Sequence, residues 1–333
     1  MSRSAQAFWL REPGHGEILL ETVPEPGVDE VLVRTLHSGI SRGTESIVYR
    51  GHVPRGQYAS MRAPFQAGDF PGPLKYGYLN VGVIEEGPEH LRGRVVFCLY
   101  PHQTTYVVPA SAVTVVPREV PAPRAVLAGT VETAINALWD AAPLIGTRAT
   151  VVGAGMVGCC VARLLRGIPG ARVSLVDVDS ARADVAAALE VDFALPDAAP
   201  GRQDLVVHTS ATSDGLQLSL DLLAAEGTVI DLSWYGDHDV QVSLGTTFHS
   251  RRLSVRASQV GTVSPAMLGR RTSADRLALA LELLKDPAFD AVVTGHSPFH
   301  DLPEVMSRVS SGDLPAICHV IDYGGADVQR HGT

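Results

Sequence analysis

A glycine-rich turn in the middle of the chain is the clearest chemical signal in the sequence. Residues 150–158 read Thr-Val-Val-Gly-Ala-Gly-Met-Val-Gly, which places the pattern G-x-G-x-x-G after an apolar run and before a segment of helical spacing. Gly153 permits a tight turn, Gly155 lets backbone approach a pyrophosphate, and Gly158 lets the helix pack closely. The segment therefore predicts a turn that binds a dinucleotide.

An acidic residue follows this turn at the spacing that the interpretation requires. Asp177 ends the next predicted strand, 19 residues after Gly158, where about 20 is typical. A carboxylate there accepts hydrogen bonds from the adenosine ribose hydroxyls and repels the 2′-phosphate of NADP, so NAD is the expected cofactor. The further contacts that we expect come from Met156, Val157 and Arg182. The alternative is a glycine turn that binds nothing.

Polar residues also follow the next two predicted strands. Thr209 and Ser210 follow one of them, and Ser233 and Trp234 follow the other. Ligands bind at the carboxyl ends of parallel strands, so we assign these four residues to the cofactor site, with simple loop packing as the alternative.

The elements that position these residues fall into two regions. The first third predicts short strands between Gly and Pro residues, at 18–23, 30–38, 81–86, 94–99 and 105–109. From residue 124 strands alternate with helices: helices at 124–141, 156–166, 181–189 and 215–225, and strands at 148–152, 172–177, 204–209 and 227–232. This alternation predicts an α/β fold with a doubly wound parallel sheet beside an irregular β-rich domain. A helix at 273–285, a segment at 299–311 and a strand at 316–323 complete the chain.

Composition sets the broad class of protein. The 333 residues suffice for two domains, 45% of them are hydrophobic, and 19% are charged. The net charge of −9 argues against nucleic-acid binding. The four cysteines form no CxxC pair, and neither a signal peptide nor an apolar run of about 20 residues is visible. We expect a soluble cytoplasmic protein without a membrane segment.

Several stretches resemble the medium-chain dehydrogenase/reductase superfamily, which includes the zinc alcohol dehydrogenases. They are His-Ser-Gly-Ile-Ser-Arg-Gly-Thr-Glu at 37–45, Tyr-Gly-Tyr-Leu-Asn-Val-Gly at 76–82, and residues 128–138 and 248–252. The first is most similar to the branch that contains bacteriochlorophyllide dehydrogenase. The resemblance implies a GroES-like catalytic domain at 1–125 and 270–333 and a Rossmann NAD-binding domain at 126–269.

The same resemblance implies further contacts and an assembly. It places Arg42 on the cofactor pyrophosphate and the segments around Ser210 and Ser233 beside the nicotinamide. It also implies a homodimer or homotetramer in which an apolar strand at 253–257 pairs across the interface.

The chain departs from this family at the catalytic metal. The first ligand position is Ser41, the second is Tyr78, and the third is Gly129 or Thr130. A hydroxyl and a phenol are poor substitutes for thiolate and imidazole at tetrahedral zinc, and no cluster of four cysteines exists in the sequence. We therefore expect a protein that needs no zinc.

Without zinc, side chains must stabilise or deprotonate the reacting oxygen. Tyr78 is the first candidate, since an ammonium at Lys75 would lower the pKa of its phenol. The loop residues Ser41, Thr44 and Glu45 are candidates for holding substrate oxygens or relaying a proton. Each has a structural alternative: Tyr78 would be a half-buried aromatic residue, and the three loop residues would be polar side chains exposed to solvent.

Glu132, in the helix that leads into the second domain, is the sixth candidate, as a carboxylate facing the nicotinamide. Its alternative is a helix carboxylate that points to solvent. His37 and His102 are interpreted as structural residues.

These features predict a zinc-independent, NAD-dependent oxidoreductase that interconverts a secondary alcohol and a ketone on a polar small molecule. Two alternatives remain open: reduction of an activated carbon–carbon double bond, as in quinone oxidoreductases, and a non-catalytic NAD-binding protein.

Overall fold

The computed structural model describes residues 3–324. The strands are β1 Arg3–Glu12, β2 His15–Val23, β3 Glu30–Ile40, β4 Ala67–Gly68, β5 Leu74–Lys75, β6 Asn80–Glu86, β7 Val95–Cys98, β8 Thr105–Pro109, β9 Val113–Val115, β10 Arg148–Val152, β11 Arg172–Val176, β12 Asp192–Ala194, β13 Gln203–His208, β14 Leu223–Asp231, β15 Ser254–Ala257, β16 Val293–Pro298 and β17 Cys318–Asp322. The α-helices are α1 Arg42–Tyr49, α2 Ala122–Ala125, α3 Ala128–Ala141, α4 Met156–Arg166, α5 Arg182–Ala188, α6 Ser213–Asp221, α7 Ser273–Leu283 and α8 Leu302–Ser311.

The chain packs into two compact units, one of which is discontinuous. The first unit comprises the chain up to Leu127 together with the chain from Val293 onward, and the second is Ala128–Val292. The boundary expected after residue 269 thus differs from the one observed. The reason is α7, which packs against α3 and buries Leu277 and Leu281 within the second unit.

The second unit is built on a six-stranded parallel sheet. Its strand order is β12-β11-β10-β13-β14-β15, and every pairing is parallel. Helices cover the sheet, so its central strands are apolar throughout: Val151, Leu175, Val206 and Val207 are all buried. This confirms the predicted doubly wound parallel sheet.

The first unit is rich in β-structure and contains two sheets. One has the order β2-β1-β5-β4; the other has the order β16-β17-β3-β6-β7-β9, with β8 also paired to β3. The second sheet encloses an apolar cluster that includes Val31, Val33, Ile84 and Tyr106. The last strand, β17, lies antiparallel to β3, with His319 opposite Ile40. This confirms the predicted irregular β-rich domain.

The sequence-based prediction missed several elements: helix α1 and strands β1, β4, β5, β9, β12 and β16. The helix expected over 215–225 is also shorter, since α6 ends at Asp221 and β14 begins at Leu223. The first strand, β1, was not predicted, because the small side chains of Ala5 and Ala7 give its buried face a weak apolar signal. The helix expected over 124–141 is divided into α2 and α3. Within residues 3–324, none of the helices has the length and apolar character needed to span a bilayer.

Candidate functional site

The glycine turn of the second unit has the geometry of a phosphate-binding turn. Gly153 has φ +109°, and a Cβ on Gly158 would lie 1.9 Å from the carbonyl oxygen of Gly153. A Cβ on Gly155 would meet nothing within 4 Å, and this exposed residue is the N-cap of α4. Backbone N–H groups at a helix start have no intrahelical partner, so they are available to an anion. The three glycines therefore fit a pyrophosphate.

The two residues between Gly155 and Gly158 contribute through their backbone. Met156 is buried and Val157 is half-buried, as expected for the first turn of a helix packed on a sheet. Neither side chain is a polar contact, so only their N–H groups can serve a bound anion.

Asp177 lies directly after β11 and beside the glycine turn. Its Oδ2 accepts from the backbone N–H of Ala154 at 2.7 Å, and its Oδ1 accepts from that of Asp179 at 2.9 Å. The half-buried carboxylate is thus fixed at the end of its strand, in the place where a ribose is bound in this kind of sheet. Arg182 forms an ion pair with Asp179, with Nε 3.3 Å from Oδ2.

The ends of β13 and β14 bring the polar residues expected there close together. Thr209 Oγ1 donates to the carbonyl oxygen of Gly153 at 2.8 Å, which joins the end of β13 to the glycine turn. Ser233 Oγ accepts from the N–H of Ala211 at 3.1 Å, and Ser210 lies one residue before that amide. Trp234, the next residue after Ser233, is half-buried.

In the first unit, Ser41 and Tyr78 form a direct pair. Ser41 precedes α1, and Tyr78 OH donates to its Oγ at 2.7 Å, with a further hydrogen bond between Tyr78 and Thr44. Burial, followed by the negative charge of Glu45, raises the pKa of Tyr78 to about 12. At neutral pH the phenol is therefore a hydrogen-bond donor. Arg42, the first residue of α1, is exposed.

The expected pairing of Lys75 with Tyr78 is wrong. Lys75 Nζ donates to Glu21 Oε2 at 2.7 Å and to the Gln103 side chain, and it lies over the ring of Trp9. Its ammonium is buried within this separate cluster and is not among the groups that set the pKa of Tyr78, which burial and the charge of Glu45 raise.

Glu45 is neither exposed nor a solvated loop residue. Its side chain is 3% exposed, Oε1 accepts from the N–H of Ser41 at 2.7 Å, and Oε2 lies 2.9 Å from Nε2 of His102. The other nitrogen of His102 contacts Ser38 Oγ at 2.7 Å. No local sequence pattern connects His102 with Glu45, because the two are 57 residues apart.

Glu132 is also held in a pair and is buried, so the alternative of a carboxylate that points to solvent is wrong; its placement at the nicotinamide stays a prediction. It accepts from Arg276 Nε at 3.0 Å, and the side chains of both residues are almost completely buried. Arg276 further donates to the Asn136 side chain and to the carbonyl oxygen of Val260. This carboxylate neutralises a buried arginine and anchors α7 on α3.

The residues at the metal-ligand positions do not fit a tetrahedral zinc site. Ser41 and Tyr78 offer neutral oxygens that hydrogen-bond each other, and Thr130 offers a buried hydroxyl in α3. Zinc in proteins prefers thiolate, imidazole and carboxylate ligands. The nearby carboxylate of Glu45 is already held by His102 and the Ser41 N–H.

No protein-family model and no curated protein matches this sequence. Solved structures do match the fold. L-idonate 5-dehydrogenase from Escherichia coli K-12 superposes with a TM-score of 0.78 at 15% identity, over 97% of this chain and 99% of that one. A protein named as a short chain alcohol dehydrogenase from E. coli CFT073, complexed with NADH, gives 0.75 at 15% over 96% and 99%. A provisionally named zinc-binding dehydrogenase from Sinorhizobium meliloti 1021, bound to NADP, gives 0.76 at 16% over 96% and 100%.

These likenesses extend over nearly the whole of each chain and establish the fold. It is the fold of these dehydrogenases, with a Rossmann unit and a GroES-like unit. The fold that the sequence resemblance implies is thereby confirmed.

Proposed function

We propose that the protein is an NAD(H)-dependent oxidoreductase of the medium-chain dehydrogenase/reductase superfamily that interconverts a secondary alcohol and a ketone on a polar small molecule, without zinc. The observation that carries this proposal is the open backbone at Gly155, at the start of α4, with the carboxylate of Asp177 at the end of the adjacent strand. The fold shared with dehydrogenases supports it.

The residues of the second unit would hold the cofactor along the carboxyl edge of the sheet. Gly155 and the first N–H groups of α4 would hold the pyrophosphate, and Asp177 would accept from the adenosine ribose and disfavour a 2′-phosphate. When bound, NAD supplies the acceptor or donor of the hydride.

The residues of the first unit would handle the oxygen of the substrate. Tyr78 donates its proton to Ser41 Oγ, so the Ser41 hydroxyl proton remains to donate to an alcohol or ketone oxygen. Glu45 holds the N–H of Ser41 and so fixes the position of that hydroxyl. Because the pKa of Tyr78 is raised, the pair stabilises the oxygen by hydrogen bonding and not as a phenolate base. The proton of the substrate hydroxyl is released to water in alcohol oxidation and taken up from water in ketone reduction.

The proposal is tested by a paired titration of NADH and NADPH into chelator-treated protein, followed by nicotinamide fluorescence on excitation of tryptophan. We expect binding of NADH with a clear preference over NADPH. In Asp177→Asn the preference should shrink, whereas in the neighbouring control Asp184→Asn it should stay. A preference of the wild type for NADPH, with turnover of enones, would instead support double-bond reduction.

If NADH binds but alcohols and ketones are not turned over, the protein is a non-catalytic NAD-binding protein. If neither nucleotide binds, the proposed function is wrong.

We further propose a cytoplasmic homodimer. The four cysteines are buried thiols outside any disulfide, which suits a reducing compartment. Strand β15 lies at the edge of its sheet with all four residues exposed, which suits pairing with a second copy.

A further inference from the structure

A recess between helices lies at the amino edge of the parallel sheet in the second unit. It is lined by the second half of α3, the end of α4, one face of α7 and the 3₁₀ segment Pro287–Val292. Helix α3 ends just before β10 begins, and α4 runs back from the glycine turn to the start of β11. The recess therefore lies at the edge of the sheet opposite the candidate cofactor site.

Apolar side chains line this recess on helix faces that the core of the unit does not use. In α7, Leu277 and Leu281 are buried in the core, whereas Leu279 and Leu283 lie four residues apart on another face and line the recess. A surface helix normally has polar residues on such an outer face. Four half-buried apolar residues of the lining come from α3, α4 and the turn after α4: Leu138, Trp139, Leu164 and Ile168.

The size and depth of the recess suit a small molecule. Its volume is about 510 Å³, and ligand pockets in proteins measure roughly 300–1,000 Å³. Phe289 and Ile135, which are only 1% and 4% exposed, are among the lining residues. The recess thus extends below the surface, and a concave apolar site of this kind encloses most of a small ligand.

The charged groups that line the recess are already paired with one another. Arg163 Nε lies 2.7 Å from Asp286 Oδ2, and Arg163 Nη1 lies 3.3 Å from Glu190 Oε1. Arg166 Nη2 lies 3.8 Å from Glu190 Oε2. Two arginines thus face two carboxylates, and neither sign is in excess among the lining residues. An ionised ligand would lose its hydration without gaining a free counter-charge, so an uncharged ligand is complementary.

We propose that this recess is a binding site for an uncharged, predominantly apolar small molecule with an aromatic body. Trp139 and Phe289 provide rings for stacked or edge-to-face contacts. The leucine and isoleucine side chains enclose the rest of the ligand, and the ion pairs of Arg163 hold the end of α4 against the segment that contains Asp286. Because this site and the cofactor edge lie at opposite ends of the strands, the two ligands bind independently.

The test titrates two fluorescent probes with the same ring system into the full-length protein. N-phenyl-1-naphthylamine is uncharged, and 8-anilino-1-naphthalenesulfonate has an added sulfonate. We expect the uncharged probe to bind at least about tenfold more tightly, because the sulfonate meets no free cation in the recess. Excitation of tryptophan should sensitise the emission of the bound probe. Trp139→Phe should reduce this energy transfer and leave the affinity nearly unchanged.

A charge introduced into the recess should prevent binding. Leu279 is 39% exposed, so the fold should tolerate Leu279→Glu, and the affinity for the uncharged probe should fall at least about tenfold. The matched control is Leu195→Glu, since Leu195 is also 39% exposed but follows β12 at the carboxyl edge of the sheet. This control should keep the wild-type affinity. Circular dichroism and thermal unfolding check that both variants fold.

Four results would overturn the proposal. They are the absence of saturable binding of the uncharged probe, an unchanged affinity in folded Leu279→Glu, equal or tighter binding of the sulfonate, and displacement of the probe by NADH. Displacement would place the probe at the cofactor edge. A lower mass of Leu279→Glu in light scattering would also overturn it, because a second copy of the chain would then cover the recess.

Discussion

Tyr78 and Lys75 are three residues apart in sequence, yet their polar ends belong to separate hydrogen-bond networks. The phenol donates to Ser41, whereas the ammonium is held by Glu21 and Gln103. Without a cation beside it, the buried phenol remains neutral over the whole physiological range. Its chemistry is therefore that of a hydrogen-bond donor.

This raised pKa predicts a pH dependence of stability. The phenol ionises near pH 10 in the unfolded chain and near pH 12 in the folded one. Between these values the unfolded state binds fewer protons, so the wild type loses stability as pH rises. Tyr78→Phe has no phenol to ionise at this position, so it lacks this loss. Between pH 9.5 and 11.5 the free energy of unfolding of the wild type should fall by roughly 2 kcal/mol relative to that of the variant. Urea denaturation at each pH measures it.

The control for this titration is Tyr58→Phe, which removes a phenol that packs on Phe70 in the same unit. A wild-type pH dependence in Tyr78→Phe would contradict the assigned burial of the phenol.

The pair of Glu132 and Arg276 predicts a large loss of stability. Glu132→Gln leaves an almost completely buried guanidinium without its carboxylate, which should cost about 3–5 kcal/mol. The matched control is Glu226→Gln, since Glu226 pairs with Arg252 on the surface with both side chains more than half exposed; it should cost less than about 1 kcal/mol. Urea denaturation measures both, and equal losses would contradict a structural role for Glu132.

At the scale of single residues, the candidate site was only partly predictable from the sequence. The glycine turn and Asp177 follow a local spacing, so the sequence identifies them directly. The partners of Glu45, Lys75 and Glu132 lie 57, 54 and 144 residues away. No local pattern encodes such pairs, because they form only when the tertiary fold brings distant segments together.

At the scale of elements, the strands and helices of the second unit are predictable from the sequence, because apolar runs alternate with segments of helical spacing. The strands are apolar because both faces of their sheet are covered. Strand β1 was missed because its buried positions include two alanines, which give little contrast. The end of the second unit was misplaced because α7 is amphipathic, and its sequence does not specify which unit its apolar face packs against.

The exposed edge strand β15 predicts an effect on assembly. Val255, 44% exposed, would lie within the interface of a dimer that pairs through β15. Val255→Asp should convert a dimer into a monomer, because a buried charge opposes strand pairing. Light scattering coupled to gel filtration measures the mass. The control is Leu244→Asp, similarly exposed and outside the strands; a wild-type monomer would overturn the proposed dimer.

For the whole molecule, the proposed chemistry predicts independence from zinc. Dialysis against a chelator should leave the NADH affinity, the thermal unfolding midpoint and any alcohol turnover unchanged. Purified protein should contain less than roughly 0.1 zinc per chain, because neutral hydroxyls bind the ion weakly. Metal analysis of the active protein checks this. One tightly bound zinc per chain, with activity that returns only when zinc is restored, would overturn it.

The antiparallel pairing of β17 with β3 has a consequence for synthesis of the chain on the ribosome. The second unit is continuous, so its sheet can close as soon as Val292 has emerged. Ile40 of β3 must wait for His319, which is synthesised 279 residues after Ile40 itself, a delay of roughly 15–55 s at about 5–20 residues per second. During that interval a central strand of the nascent first unit has one edge open to other chains. Translation speed and chaperone supply should therefore govern the yield of folded protein.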